Sequence, residues 1–388
     1  MKKLLCSAAV CGLALAANPA QAADGLKLDV GGYFTGYGMY TNQDDENIAG
    51  NESRQFDIIR NTEVHFGGET TLDNGLTVGV QIEANADEGD SFGVDESYAY
   101  FSGGWGRVNF GAEDGAAYLL QVEAPSADDN IDGIRQLVNP INYAAMETGG
   151  TLAGLNFEND YDQDISAKVD KLTYLSPVMN GFQVGMSYTP DLADASAENA
   201  GNQSEQEDSI GSVYEIGARY EGQFNNVGVI AGAGYTHGDV EQDNVVQAAG
   251  NITDDREAWN AGVDLDIGPF GVGVAYQHDN AGDVALTATT EQDAEQTWVL
   301  GVDYTTGPFK VGASYMNKDG AIGLAGATGS DGVESEKYAG GVVYTYGPGM
   351  TFRGSVSHVN LENVAGLTPA TTTDADATSV VLGTQINF

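Results

Sequence analysis

Ser379-Val380-Val381-Leu382-Gly383-Thr384-Gln385-Ile386-Asn387-Phe388 is the stretch that decides the fold. Val380, Leu382, Thr384, Ile386 and Phe388 share one face of an extended strand. Ser379, Gly383, Gln385 and Asn387 share the other, with Val381 as the exception. Successive side chains of a strand alternate faces, so this segment has one greasy face and one wet one. A strand of this kind that stops on an aromatic, with no polar tail, predicts the closing strand of a membrane barrel, with Phe388 as its assembly signal.

The start of the chain agrees. Met1-Lys2-Lys3 is a short basic region, Leu4 to Ala17 an apolar run too short to span a bilayer, and Ala20-Gln21-Ala22 a small-x-small cleavage site. They predict a secretory signal peptide over 1–22, removed on export, and one domain over 23–388. Both cysteines, Cys6 and Cys11, lie in that leader, and Val10 stands where lipoprotein processing at Cys11 requires a small residue. The mature chain is therefore expected to have no disulfide, thiolate metal site or cysteine nucleophile.

With 15 Lys and Arg against 57 Asp and Glu, the formal charge is −42. Such a charge disfavours nucleic acid and anionic surfaces as partners and favours cations. Acidic chains are often disordered, but 19 Tyr, 13 Phe and 41% hydrophobic residues in alternating runs argue for packed strands. No mature stretch reaches the roughly 18 apolar residues of a membrane helix, so a membrane-inserted form has to be a closed barrel.

Sixteen segments read as strands: 26–40, 55–72, 75–86, 93–103, 105–112, 165–177, 181–190, 209–224, 226–240, 256–268, 270–280, 295–307, 309–318, 336–347, 350–361 and 377–388. Trp259, Ala261, Val263, Leu265 and Ile267 oppose Asn260, Gly262, Asp264 and Asp266 in the clearest of them. Tight turns at Asp73-Asn74-Gly75, Gly103-Gly104, Met179-Asn180-Gly181, Asn225-Asn226, Gly268-Pro269, Gly307-Pro308 and Gly347-Pro348-Gly349 take turns with eight long polar linkers. Short and long connections alternate in this way in an outer-membrane barrel, not in a soluble sandwich. The fold class is therefore an all-β, antiparallel transmembrane barrel of 16 strands. Aromatics about six residues apart on the outer face, as in Phe270 and Tyr276 or Phe309 and Tyr315, suit two girdles around an apolar band about 25 Å tall.

At this point the chain resembles the general porins of the Gram-negative outer membrane, most of all their alphaproteobacterial branch. The carriers are Val64-His65-Phe66-Gly67-Gly68-Glu69-Thr70, Leu72-Asp73-Asn74-Gly75-Leu76, Trp105-Gly106-Arg107-Val108-Asn109-Phe110-Gly111 and Phe388. The resemblance implies a homotrimer of barrels in the outer membrane, among lipid and lipopolysaccharide, each a passive water-filled pore for small hydrophilic solutes. It implies that the barrel assembly machinery reads Phe388, and that the long third loop folds inward to narrow the pore.

That loop, about 113–164, supplies the candidate constriction residues Glu113, Asp114, Glu123, Asp128, Asp129 and Asp132, against Arg135 as its one base. The candidate pore-wall residues are Lys27, Glu63, Arg107, Lys310 and Arg353. Enteric members of the family carry a lumen arginine where this chain has Glu63. Arg60 falls in the lipid phase and is expected near an interface or turned inward, since a lipid-facing arginine at mid-depth costs about 2–4 kcal/mol. Carboxylate rings favour cations. Asp128-Asp129-Asn130-Ile131-Asp132-Gly133 matches the first half of a calcium loop, but Asn139 stands where the bidentate Glu belongs. Asp128, Asn130 and Asp132 are thus a candidate Ca2+ cluster, the alternative being a plain Asp/Asn-rich turn; no cofactor is required.

Enzyme chemistry is not expected: His65, His237, His278 and His358 are scattered, and no nucleophile elbow or phosphate loop appears. The expected function is a cation-preferring diffusion porin. A substrate-specific channel and a surface-exposed structural or adhesive barrel are the alternatives.

Overall fold

The computed structural model describes residues 25–44, 53–86, 92–143, 146, 159–192, 209–241, 254–282, 285–287, 290–291, 293–321, 333–362 and 374–388. The signal-peptide reading, and the acids Glu147 and Glu158 of the third loop, fall outside them.

Sixteen antiparallel strands close one barrel. In chain order they begin β1 (Lys27–Gln43), β2 (Phe56–Thr71), β3 (Thr77–Asn85), β4 (Gly93–Gly103), β5 (Gly106–Ala112), β6 (Asp170–Leu175), β7 (Phe182–Thr189) and β8 (Ser209–Phe224). They continue β9 (Val227–Glu241), β10 (Arg256–Ile267), β11 (Phe270–Asp279), β14 (Glu295–Thr306), β15 (Phe309–Ala321), β16 (Val333–Gly347), β17 (Met350–Glu362) and β18 (Ala375–Asn387). A short pair, β12 (Ala285–Thr287) and β13 (Thr290–Glu291), stands apart between β11 and β14. The terminal segment is the closing strand: β18 pairs with β17 and with β1, from Tyr33 opposite Asn387 to Gln43 opposite Ala377. Gly32 and Phe388 exchange backbone hydrogen bonds at the end of the seam. Closure leaves no strand edge, which a bilayer could not satisfy.

The alternation decides what faces outward. Val380, Leu382, Ile386 and Phe388 are exposed on the outer face, whereas Ser379 and Val381 are buried toward the lumen. The six-residue aromatic spacing becomes two belts of rings in lateral contact. Tyr188–Tyr214, Trp259–Tyr276, Tyr276–Trp298 and Tyr315–Tyr338 lie in one belt; Phe182–Tyr220, Phe270–Tyr304 and Phe309–Tyr344 lie in the other. At the Asn180-Gly181 turn both residues take positive φ, 52° and 88°, the backbone that matches the twist of a two-residue hairpin.

Two expectations change. The sixth strand starts at Asp170, not near 165, because Ile165–Lys168 form a turn in which Ala167 has φ 42°. Lys171 draws that turn in by donating from Nζ to the carbonyls of Ala167 and Glu113. For Arg60 one of the two expected placements falls away: it is not turned inward but exposed in the outer phase with Ile58, in register with Gly36.

The buried core lies between wall and third loop. Tyr37, Val381, Ile131 and Val138 form one cluster, and Ala124, Tyr161, Ala275, Val299 and Met316 another. Val381, on the lumen face of β18, thus shares a cluster with loop residue Ile131.

Candidate functional site

Loop 3 follows the inner wall, and small wall residues let it lie close. Ala116 meets Gly217, Val122 meets Gly232 and Gly262, Pro125 meets Gly273 and Gly301, and Ala127 meets Gly312. A Cβ at any of these glycines would press on loop backbone or ring atoms. Among the described residues, two helical turns, α1 (Ala116–Leu119) and α2 (Asp129–Asp132), punctuate the path.

Polar side chains then pin the loop. Ser187 Oγ accepts from Ala116 N at 3.1 Å, Arg219 Nη1 donates to Gln121 O at 3.0 Å, and Gln163 Nε2 donates to Thr236 Oγ1 at 2.7 Å. At the tip, Asp128 caps α2 by accepting from Asn130 N. It also accepts from Tyr37 Oη at 2.7 Å and from Arg353 Nη1 at 2.6 Å. Asp129 shares Arg353 at 2.6 Å, Asn130 Nδ2 reaches Gln385, and Lys337 Nζ lies 3.1 Å from Asp132 Oδ1. Asp128, Asn130 and Asp132 therefore face Arg353, Tyr37, Gln385 and Lys337; a calcium ion there would compete with two protein cations.

The returning half of the loop converges on Arg135. Its Nε donates to Asp162 at 2.8 Å, its Nη2 donates to Asp164 at 2.6 Å and stands 3.5 Å from Asp114, and its guanidinium lies 4.6 Å from the Tyr118 ring. Burial works against the Arg135 charge, but Tyr118 and the three carboxylates outweigh it and raise its pKa. Burial, reinforced by Asp114, pushes Asp164 well above the usual carboxylate range. Burial likewise raises Glu113, although Asn109 Nδ2 donates to both its oxygens at 2.7 Å. Glu123 is pushed up to about 7, by burial first and by the Asp129 charge second.

Among the described residues, the contacts of loop 3 run from β5 round through β18 to β1. The facing wall, β2–β4, carries an acidic row: His65 stands opposite Glu83, and Glu83 opposite Glu96, on three neighbouring strands, with Glu63 two residues from His65. Like charges directly opposite repel. A bulge between Glu83 and Ala84 lets Asp95 and Glu96 both reach Lys168. The charges of Asp114 and Glu113 also act on Glu96, which ties the row to the root of the loop.

Of the expected wall residues, Arg353 anchors the loop and Glu63 joins the acidic row. Lys310 lies 3.8 Å from Asp303 and acts on Glu123. Arg107 donates to Asn109 at 2.6 Å and lies 4.0 Å from the Tyr100 ring centroid. Lys27 is exposed at the short-turn end of β1, in register with Glu69, away from the constriction. Glu83, Glu96 and Lys337 were not singled out from sequence. Their lumen phase is readable there, but which carboxylates stand side by side depends on register.

A closed barrel of sixteen strands, narrowed by a charged inner loop, defines a membrane channel. The model of the Gram-negative porin family matches residues 7–364, and the chain belongs to that family. No curated protein sequence matches it. Among solved structures it is similar to OmpF of Salmonella typhi in complex with daunomycin, at 17% identity and a TM-score of 0.60, over 94% of this chain and 98% of that one. It is also similar to the anion-selective porin of Comamonas acidovorans, at 15% identity and 0.57, over 94% and 100%. A third is OmpT of Vibrio cholerae in a trimer form, at 14% identity and 0.55, over 94% and 100%. The chain is an outer-membrane porin of a Gram-negative bacterium.

Proposed function

We propose that this porin is a general diffusion channel, water-filled and cation-preferring, that passes ions and small hydrophilic solutes. One observation carries the preference: carboxylates outnumber and hold the cations at the constriction. Arg135 faces three acids, Arg353 two, and Lys168 two, while Glu63 and Glu83 stand on the facing wall with only His65 between them. Fixed negative charge in a narrow lumen concentrates cations and repels anions. The fold is shared with an anion-selective porin, so the sign of selectivity has to reside in these side chains.

The reading needs no resident cofactor: Arg353 and Lys337 sit against the turn that holds Asp128, Asn130 and Asp132, which supports the plain-turn alternative over a Ca2+ cluster. It includes a homotrimer, as in the trimer form of the Vibrio OmpT structure. The outer face of β1–β3 and β18 presents Leu28, Val30, Ile58, Val80 and Leu382, an apolar strip suited to a neighbouring barrel. Lipid, lipopolysaccharide and the barrel assembly machinery are its remaining expected partners. The reversal potential of the reconstituted protein in a potassium chloride gradient tests the proposal: a cation-selective sign is expected, and an anion-selective sign would overturn it.

A further inference from the structure

The wall facing loop 3 holds a group of side chains whose arrangement diffusion does not require. Glu63 and His65 are two residues apart on β2 and share its lumen face; Glu83 on β3 stands directly opposite His65. His65 Nε2 lies 3.4 Å from Glu63 Oε1 and 3.6 Å from Glu83 Oε2. One ligand-type atom from each residue falls within 4.8 Å of the other two. That nitrogen is buried and makes no hydrogen bond. Gln81 Nε2 donates to Glu83 Oε1 at 2.9 Å, occupying that oxygen while the other approaches the imidazole. The Tyr33 ring packs edge-on against His65 with centroids 6.3 Å apart.

We propose that Glu63, His65 and Glu83 form a binding site on the pore wall for a transition-metal dication of the zinc class, with its fourth position open to the lumen. Zinc binds imidazole nitrogen and carboxylate oxygen at about 2.0–2.2 Å, so two ligands of a tetrahedral site stand roughly 3.3–3.6 Å apart. The two distances from His65 Nε2 have that spacing. Three protein ligands plus one exchangeable position is the arrangement of zinc sites that exchange their outer ligand. Calcium and magnesium take six or more oxygens and have little use for imidazole. Two carboxylates supply the charge that a dication neutralises, and Gln81 orients one of them as an outer-shell partner does. A second group, His237, Asp239 and Asp255, also gathers ligand atoms. Its side chains are 29%, 48% and 41% exposed, so water competes there; it serves as the control.

The site rests on the β2–β3 register, not on the channel reading. Equilibrium dialysis of the full-length protein in detergent against zinc, with calcium in excess to occupy the acidic loops, tests it. One tight zinc per chain is expected. His65→Ala should weaken it by more than about 100-fold, the upper end of what loss of an outer-shell partner costs, while His237→Ala leaves it unchanged. Glu83→Gln, nearly isosteric, should weaken it as well and covers the case in which His65→Ala does not fold. Undiminished zinc binding by either folded variant, or displacement of the zinc by calcium, overturns the site. In bilayers, zinc should lower the conductance of the native protein and not of the variant. A protein that binds zinc tightly but conducts nothing would overturn the channel reading while upholding the site.

Discussion

Arg353 on β17 donates to Asp128 at the tip of loop 3 across 225 residues of chain, Nη1 to Oδ1 at 2.6 Å. Asp128 is fully buried, and Arg353 is the cation that makes its charge tolerable there. Removing one partner of a buried pair costs about 3–5 kcal/mol, because the other is left charged and unpaired. Arg353→Ala should therefore release the tip while the barrel ladder persists. Liposome swelling with graded neutral sugars should show a larger exclusion limit. An unchanged limit would mean that the tip is held by other contacts.

The same geometry predicts independence from calcium. With Arg353 and Lys337 seated at Asp128 and Asp132, a calcium chelator should leave single-channel conductance and selectivity unaltered. A conductance step on chelation, reversed by added calcium, would return the ion to this turn.

Wall glycines set how close the loop lies. Gly301 faces the Pro125 carbonyl and Gly312 faces Ala127 N, where a Cβ would stand 2.7 Å away. Gly301→Val should displace loop 3 toward the pore axis at about 1–3 kcal/mol of overpacking cost. Conductance should fall with the far-ultraviolet strand signal unchanged. Unaltered conductance would place the loop clear of the conducting path.

What the amino-acid order reveals follows from period and punctuation. Alternation through Trp259–Ile267 and Val380–Phe388, with Gly-Pro and Asn-Gly turns, made the strand number and closure readable, because strand faces and tight turns are local properties. Val381 looked like an error in the pattern, since the loop residue in its cluster, Ile131, is 250 positions away. Glu83 and Glu96 were readable as lumen-phase acids but not as neighbours. Only the pairing of β2 with β3 and of β3 with β4 sets them beside His65. The wall glycines are silent in the sequence for the same reason: the loop lying over Gly217, Gly262 and Gly301 is a tertiary fact.

Selectivity should depend on that row. Glu83→Gln with Glu96→Gln removes the two opposed carboxyl groups on the wall facing loop 3. Reversal potential in a salt gradient should move toward zero, with stability unchanged or increased. Full cation selectivity in the double variant would locate the preference in the outer loops.

Glu123 gives the selectivity a pH dependence with a definite sign. Its pKa is about 7, raised by burial and by Asp129, so the side chain is charged above that pH and neutral below it. Cation preference should decline as pH falls from about 8 to 6. Because the docked loop binds this proton more tightly than the unfolded chain does, the group's contribution to stability runs the other way. It declines as pH rises from the ordinary glutamate range near 4.3 to about 7, and is constant above. Glu123→Gln should flatten both profiles over that window. A native reversal potential constant from pH 8 to 6 would show that Glu123 does not face the conducted ions.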